Sequence, residues 1–210
     1  MSKKAIPVYE LYIDDDNDLD GLTAMGFVDN PAIQANFLYF NKDINKYVMS
    51  SINEEQRIVV GPAMIPNKKI IRQNVFGELY YAEFSEKTVE ELAHNFLKES
   101  KQHITTEQHA KPLKGIYMIE SWVTKNDQDK IYTEYGYSPE VVHIGSWCIM
   151  YKIDNEDTIA KIKSGEINGF SIEAYLSDKL KVTSELEELF NRIDKYENKN
   201  ELIELIKNPK

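Results

Sequence analysis

The sequence predicts an α+β fold that is mainly β, and three observations predict it. Short runs rich in β-branched and aromatic residues recur, each bounded by Gly, Pro, Asn or Asp. Only two internal segments carry helical spacing of apolar residues. After about residue 179 the pattern changes to a highly charged helical one. The expectation is about seven strands, two embedded helices and a C-terminal helical tail. We expect one domain over 1–178, with N-terminal strands in 1–56 and a core in 57–178, followed by a charged tail over 179–210.

The elements follow in order. PVYELYI (7–13) is aromatic and β-branched and reads as a strand, followed by the acidic turn DDDNDLDG (14–21). TAMGFVD is a second strand, closed where the pre-proline restriction at Asn30-Pro31 favours extended backbone. Residues 41–57 are polar and mixed and read as a surface excursion. RIVVGPAMIP (57–66) is a buried strand with a break at Gly61-Pro62, NKKII follows, and GELYYAEF (77–84) is the next strand. Ser85 is a good N-cap for a helix over about 86–100. Val89, Leu92, Ala93, Phe96 and Leu97 fall on one face of it. HITTEQH (103–109) fits a short strand and GIYMIESWV (115–123) a stronger one, with a long polar loop over 125–140. HIGSWCIMYKI (143–153) is a strand. Asp154 is placed to cap a helix over about 155–164 that Gly165 closes, and NGFSIEAYL (168–176) is the last strand.

Composition excludes several classes of function. A formal net charge of −10 repels phosphate backbones and anionic membrane surfaces, so neither nucleic acid nor membrane is an expected partner. No apolar run approaches the ~20 residues of a membrane helix. The N-terminus MSKKAIPVYELYIDDD has no apolar signal-peptide region, so the chain is expected to stay in the cytoplasm that made it. The single Cys148 rules out Cys-based zinc sites and, within SWCIMYKI, reads as a buried inert thiol. Asp16, Asp18, Asp20 and Gly21 match the first half of a calcium loop, but Phe27 stands where a bidentate Glu is required. The turn therefore reads as solvated, and no cofactor or metal is expected.

Four histidines limit the choice of a catalytic base. His94 lies on the helix and His143 beside a loop, neither with distinctive neighbours. On a regular strand His103 and His109 are ~20 Å apart, too far to serve one reacting atom. That weakens a metal-dependent hydrolase built on both histidines with carboxylates. His109, in HAKPLKG, ends its strand at a turn, and is either a histidine on a strand edge or one presented to a cleft. Ser171 lies between Phe170 and Ile172 in a strand, as a tolerated small residue or a rigidly held nucleophile. A serine hydroxyl needs a base to take its proton, and His suits neutral pH.

The stretch from about 57 to 177 resembles the phage prohead proteases, most closely the XkdF-type phage serine proteases. VDNPAI (28–33), FSEKTVEELAHNFLKE, HAKPLKG followed by ESWV, and IKSGEINGFSIEAY carry the resemblance by their order and spacing. Ala174 departs from the pattern, where Gly is frequent in relatives. The resemblance implies a fold like the herpesvirus capsid protease, a β-barrel with flanking helices. It implies a serine endopeptidase with Ser171 as nucleophile and His109 as base, cutting scaffold and major capsid protein extensions inside the assembling prohead in the host cytoplasm. Self-association and self-cleavage are compatible with this. For the third catalytic member, Glu120 in the apolar strand MIESWV is preferred, with a salt bridge to a nearby Lys as its competing reading. Glu107 and Glu173, two residues from His109 and Ser171, and His103 are the other options. The competing expectation is a catalytically inactive assembly or scaffold protein on a protease fold, with the C-terminal helix binding a coat protein.

Overall fold

A computed structural model describes residues 6–14, 16–36, the backbone of 38–40, and 56–181. The expected excursion, apart from Gln56 and Arg57, and the expected tail beyond Lys181 lie outside these residues. The chain runs β1 (Val8–Tyr12), β2 (Gly21–Val28), β3 (Leu38–Phe40), β4 (Ile58–Met64), β5 (Ile70–Gln73) and β6 (Leu79–Phe84). Helix α1 (Glu86–Lys98) and a 3-10 turn (Lys101–His103) lead into β7 (Thr105–Glu107), β8 (Lys111–Pro112) and β9 (Ile116–Val123). Then come α2 (Lys130–Thr133), β10 (Trp147–Ile153), α3 (Glu156–Ser164), β11 (Gly169–Tyr175) and β12 (Ser177–Leu180).

The fold is mainly β, as expected, but among the described residues the strands do not close into a barrel. They form three four-stranded sheets, ordered β12-β1-β6-β5, β3-β4-β10-β9 and β11-β2-β7-β8. Among the described residues no hydrogen-bonded ladder joins one sheet to another. The sheets cohere through side chains instead. Phe27 on β2 meets Tyr151 on β10 and Phe170 on β11 at ring-centroid distances of 5.4 and 5.3 Å, both edge-to-face. Each ring is buried, and such contacts add to the burial of large apolar area. Burial also pushes the Tyr151 phenol well above its usual range. This aromatic trio fixes the inner face of the β11-β2 pair, so the outer face is held rigidly.

The first two strands are interior to their sheets. β1 lies between β12 and β6, and β2 between β11 and β7. β12 pairs with β1 as far as Leu180, so the folded part continues past residue 178.

Local differences from expectation have physical reasons. β4 runs unbroken through Gly61-Pro62. β3 pairs only with Ile58 to Val60, and a register shift opposite Trp147 and Cys148 leaves Ala63 as the extra residue of a bulge. Pro62 is therefore accommodated where one side of β4 has no ladder to supply. Helix α1 begins as expected, with Ser85 Oγ accepting from the Thr88 N–H at 3.3 Å. Leu97, expected on its buried face, is exposed. Asn155, not Asp154, caps α3, its Oδ1 accepting from the Thr158 N–H at 2.9 Å, and Gly165 ends the helix in the left-handed region. The 143–153 strand starts only at Trp147, because residues 143–146 make a turn in which the Ser146 N–H donates to the His143 carbonyl. The polar loop after β9 contains the short helix α2.

The acidic turn closes on itself. Asp20 accepts from the Asp14 and Ser177 N–H groups at 3.0 and 2.9 Å and from Asn17 Nδ2 at 2.8 Å. Its carboxylate ties the β1–β2 turn to β12. Among the described residues no group of His, Cys, Asp or Glu is arranged to hold a metal, and no helix is long and apolar enough to cross a membrane.

Candidate active site

The alternation of β11 sends Phe170 inward and Ser171 and Glu173 to the other face. Register then sets the neighbours. Ser171 pairs with Gly26 on β2, and Gly26 with Thr106 on β7. The three positions form a row across the sheet. Neighbouring strands are ~4.8 Å apart, so Ser171 and Thr106 stand ~10 Å apart with Gly26 between them.

The imidazole of His109 fills the space over Gly26. A β-carbon at position 26 would lie 2.8 Å from His109 Cε1 and 2.9 Å from Nδ1. Only glycine leaves that space free. His109 reaches it from the three-residue loop 108–110 joining β7 to β8, in which the Ala110 N–H donates to the Glu107 carbonyl at 3.1 Å. Gln108 and His109 have φ of 52° and 58°. Two left-handed residues make a type I′ turn, the geometry that suits strand twist but normally takes Asn-Gly. Strain of this kind persists only where the surroundings impose it. Here the Gln108 N–H donates to the Phe27 carbonyl at 3.1 Å. The Gln108 side-chain nitrogen donates to Asp29 Oδ1 at 3.2 Å, and its oxygen accepts from the Asp29 N–H at 3.1 Å. These bonds clamp the turn onto the end of β2.

His109 Nδ1 lies 3.2 Å from Glu173 Oε1, and Thr106 Oγ1 donates to the same oxygen. Glu173 is half-buried, so its charge is partly screened from water. A proton on Nδ1 satisfies this contact and leaves Nε2 as the basic nitrogen. The Ser171 hydroxyl is not hydrogen-bonded to the ring in this structure. Such bonds in free enzymes often tighten only with substrate.

The other residues singled out from the sequence go elsewhere. Glu120, the preferred third member, sits on β9 in a different sheet and is half-exposed. It pairs with Lys130, whose ammonium also lies 4.1 Å from the Trp122 ring centroid. β9 is an edge strand, and Lys130 satisfies the charge of Glu120. Glu107 pairs with Lys161 of α3, and that hydrogen bond holds the lysine above its usual pKa. His103 is exposed in the 3-10 turn, so the regular-strand spacing assumed for it does not hold. His94 is exposed, and His143 Nδ1 is bound to the Pro66 carbonyl at 2.8 Å. Cys148 is buried, and burial pushes its thiol well above the usual range.

Three of the four quoted motifs meet here. The Asn168 N–H donates to the Val28 carbonyl at 2.8 Å, and its side-chain amide to the Asp29 carbonyl at 2.9 Å. Gly169 lets Pro31 pack against bare backbone, since a β-carbon there would be 2.7 Å from Pro31 Cγ. Thus VDNPAI, the His109 turn and the Ser171 strand are bound into one corner.

Residues 46–179, well over half of the chain, match the family model described as Putative phage serine protease XkdF. The chain belongs to this family. No curated protein and no solved structure matches it. Within this XkdF family chain the matched segment holds both His109 and Ser171, while Gly26 precedes it. Gly26 and Thr106 were not singled out from the sequence. An isolated glycine inside the strand pattern TAMGFVD is the signal that points to a close approach there.

Proposed function

We propose that this chain is a serine endopeptidase of phage head maturation. Its substrates are extensions of scaffold and major capsid proteins, met inside the assembling prohead in the host cytoplasm. Ser171 is the nucleophile, His109 its base, and Glu173, in place of Glu120, orients the base. The observation that carries this reading is the His109 ring held over Gly26, beside Ser171, with Nδ1 on Glu173. Membership of a serine protease family supports the reaction class.

In this mechanism Nε2 of His109 takes the Ser171 proton as Oγ attacks the scissile carbonyl. The imidazolium is stabilised through its Nδ1–H by Glu173. Collapse of the tetrahedral intermediate breaks the C–N bond, and His109 gives its proton to the leaving amine. Water, deprotonated by the same nitrogen, then hydrolyses the acyl-serine ester. Thr106 keeps the Glu173 carboxylate facing the ring. Clustering of substrate in a shell raises its effective concentration, so weak binding suffices. Kinship with the herpesvirus capsid protease is part of this proposal and rests on motif order.

The test is co-expression of the native chain, or Ser171→Ala, with the scaffold and coat proteins of its own genome, followed by intact-mass analysis. Discrete truncations that vanish with the substitution support the endopeptidase. Partners that stay whole but co-purify with both versions establish an assembly factor instead.

A further inference from the structure

The loop of His109 does not hold its shape unaided. Gln108 and His109 both lie in the left-handed region, with φ of 52° and 58°, and neither is the glycine that adopts it without steric cost. Both are exposed, so apolar burial contributes little to holding them. His109 follows Gln108 directly, so whatever fixes Gln108 decides where the imidazole points.

Polar groups at the end of β2 fix it in two ways. The Phe27 carbonyl accepts from the Gln108 N–H at 3.1 Å, a backbone bond open to any residue but proline. The second contact depends on the side chain. Gln108 Oε1 accepts from the Asp29 N–H at 3.1 Å, and Nε2 donates to Asp29 Oδ1 at 3.2 Å. A backbone N–H only donates and an ionised carboxylate only accepts. Position 108 must therefore offer an acceptor to the first and a donor to the second, and a carboxamide carries both in one plane.

Asp29 is anchored in turn. Its carbonyl accepts from Asn168 Nδ2 at 2.9 Å, and Asn168 directly precedes β11, the strand of Ser171. Three groups of one residue, the N–H, the carboxylate and the carbonyl, thus join the loop of His109 to the strand of Ser171. Exposed hydrogen bonds add little to global stability. Reaction rate is far more sensitive, since a misplacement near 1 Å costs about 10²-fold.

We propose that Asp29 is a positioning residue of this site: it selects the Gln108 carboxamide and so sets where the His109 ring stands relative to Ser171. The proposal rests on the endopeptidase function of Ser171 and on His109 as its base. The test labels Ser171 with an alkyl fluorophosphonate. Oγ bonds to phosphorus, the P–F bond breaks and fluoride leaves, while His109 takes the serine proton and releases it to solvent. Mass spectrometry of the adduct gives a rate, and a thermal melt accompanies each variant.

Gln108→Glu keeps the acceptor for the Asp29 N–H but sets an oxygen against the Asp29 carboxylate. It is expected to slow labelling about tenfold while Tm stays within about 3 °C of native. Asp29→Asn alone leaves a neutral, weaker acceptor for Gln108 Nε2 and is expected to cost about two- to threefold. Combined, the two substitutions exchange donor and acceptor across the contact, and labelling is expected to recover to within about threefold of native. A purely structural role predicts no such recovery. Asp29→Ala covers the case in which Gln108→Glu does not fold, and is expected to slow labelling about tenfold. A native rate in folded Gln108→Glu, or a double variant no faster than Gln108→Glu, overturns the role of Asp29 and leaves Ser171 and His109 standing. Failure of the probe to label Ser171 in the native chain overturns the endopeptidase itself, and the role of Asp29 with it.

Discussion

Gly26→Ala is the sharpest perturbation of this site, because it changes neither the proposed nucleophile nor the proposed base. The added methyl would sit 2.8 Å from His109 Cε1 and 2.9 Å from Nδ1, where ordinary contact begins at 3.4 Å. The ring must therefore move by roughly 0.6 Å or more. Relief in the opposite direction is blocked, since the Ser171 carbonyl oxygen lies only 3.2 Å from the same β-carbon. Nδ1 is the atom in contact with Glu173, so the displacement also stretches that bond. A misplacement near 1 Å costs about 10²-fold in rate, or about 2.7 kcal/mol of transition-state stabilisation.

Stability should respond far less. Alanine loses less backbone entropy on folding than glycine, a gain of about 0.5–1 kcal/mol that offsets much of the crowding. The assay pairs the rate of Ser171 phosphonylation with a thermal melt. We expect a fall of about 10²-fold in rate with a Tm change of only a few degrees. A native rate in folded Gly26→Ala would refute the placement of His109 over β2 as the catalytic geometry.

Glu173→Gln should lower kcat by about 10²-fold or more, since the amide cannot stabilise the imidazolium, whereas Glu120→Gln should leave kcat unchanged and move Tm by no more than about 2 °C. Steady-state kinetics on the two variants separates the carboxylates. Asp20 is held below its ordinary carboxyl pKa: burial opposes its charge, but hydrogen bonds from Asp14 and Ser177 outweigh that burial. Its contribution to stability is therefore present above the unfolded pKa, about 4, and lost as pH falls through the folded value. Melts of Asp20→Asn against pH should run a few degrees below native near neutrality and converge with it in acid. Iodoacetamide should leave Cys148 unmodified in the native protein and alkylate it only with global unfolding, because burial raises its pKa and hides the sulfur.

Much of the fold was legible because strands announce themselves locally. Val8 to Tyr12, Ile116 to Val123 and Gly169 to Tyr175 carry their own β-branched and aromatic signals and end at turn residues. The short pieces were not legible. β8 has two residues and exists only as the return of the His109 hairpin, and SDKL of β12 owes its strand to β1. Type I′ geometry at Gln108-His109 was hidden because neither residue is the glycine or asparagine that normally signals it. The proposed nucleophile and base, Ser171 and His109, were nameable from residue type and motif. The third member was not, because Glu107, Glu120 and Glu173 are alike in sequence and differ only in partner. Lys161 takes the first, Lys130 the second and His109 the third.

The middle strand of the site explains why its two motifs need not touch in sequence or in the sheet. Ser171 and His109 lie on opposite sides of β2, and β2 is drawn from residues well before either. The pairing of β2 with β7 is parallel, so no tight turn can bring them together, and the chain must complete β4 to β6 and α1 first. Bond by bond, β2 and the Asp29 that follows it then supply what both flanks lack. Gly26 gives the imidazole its seat, the Phe27 carbonyl and Asp29 hold the strained turn, and the Val28 and Asp29 carbonyls bind Asn168 ahead of the serine strand. The proposed reactive groups are therefore placed largely by β2 and the residue after it, and the proposed catalytic geometry depends on backbone groups, the Asp29 carboxylate and one absent side chain as much as on Ser171 and His109 themselves.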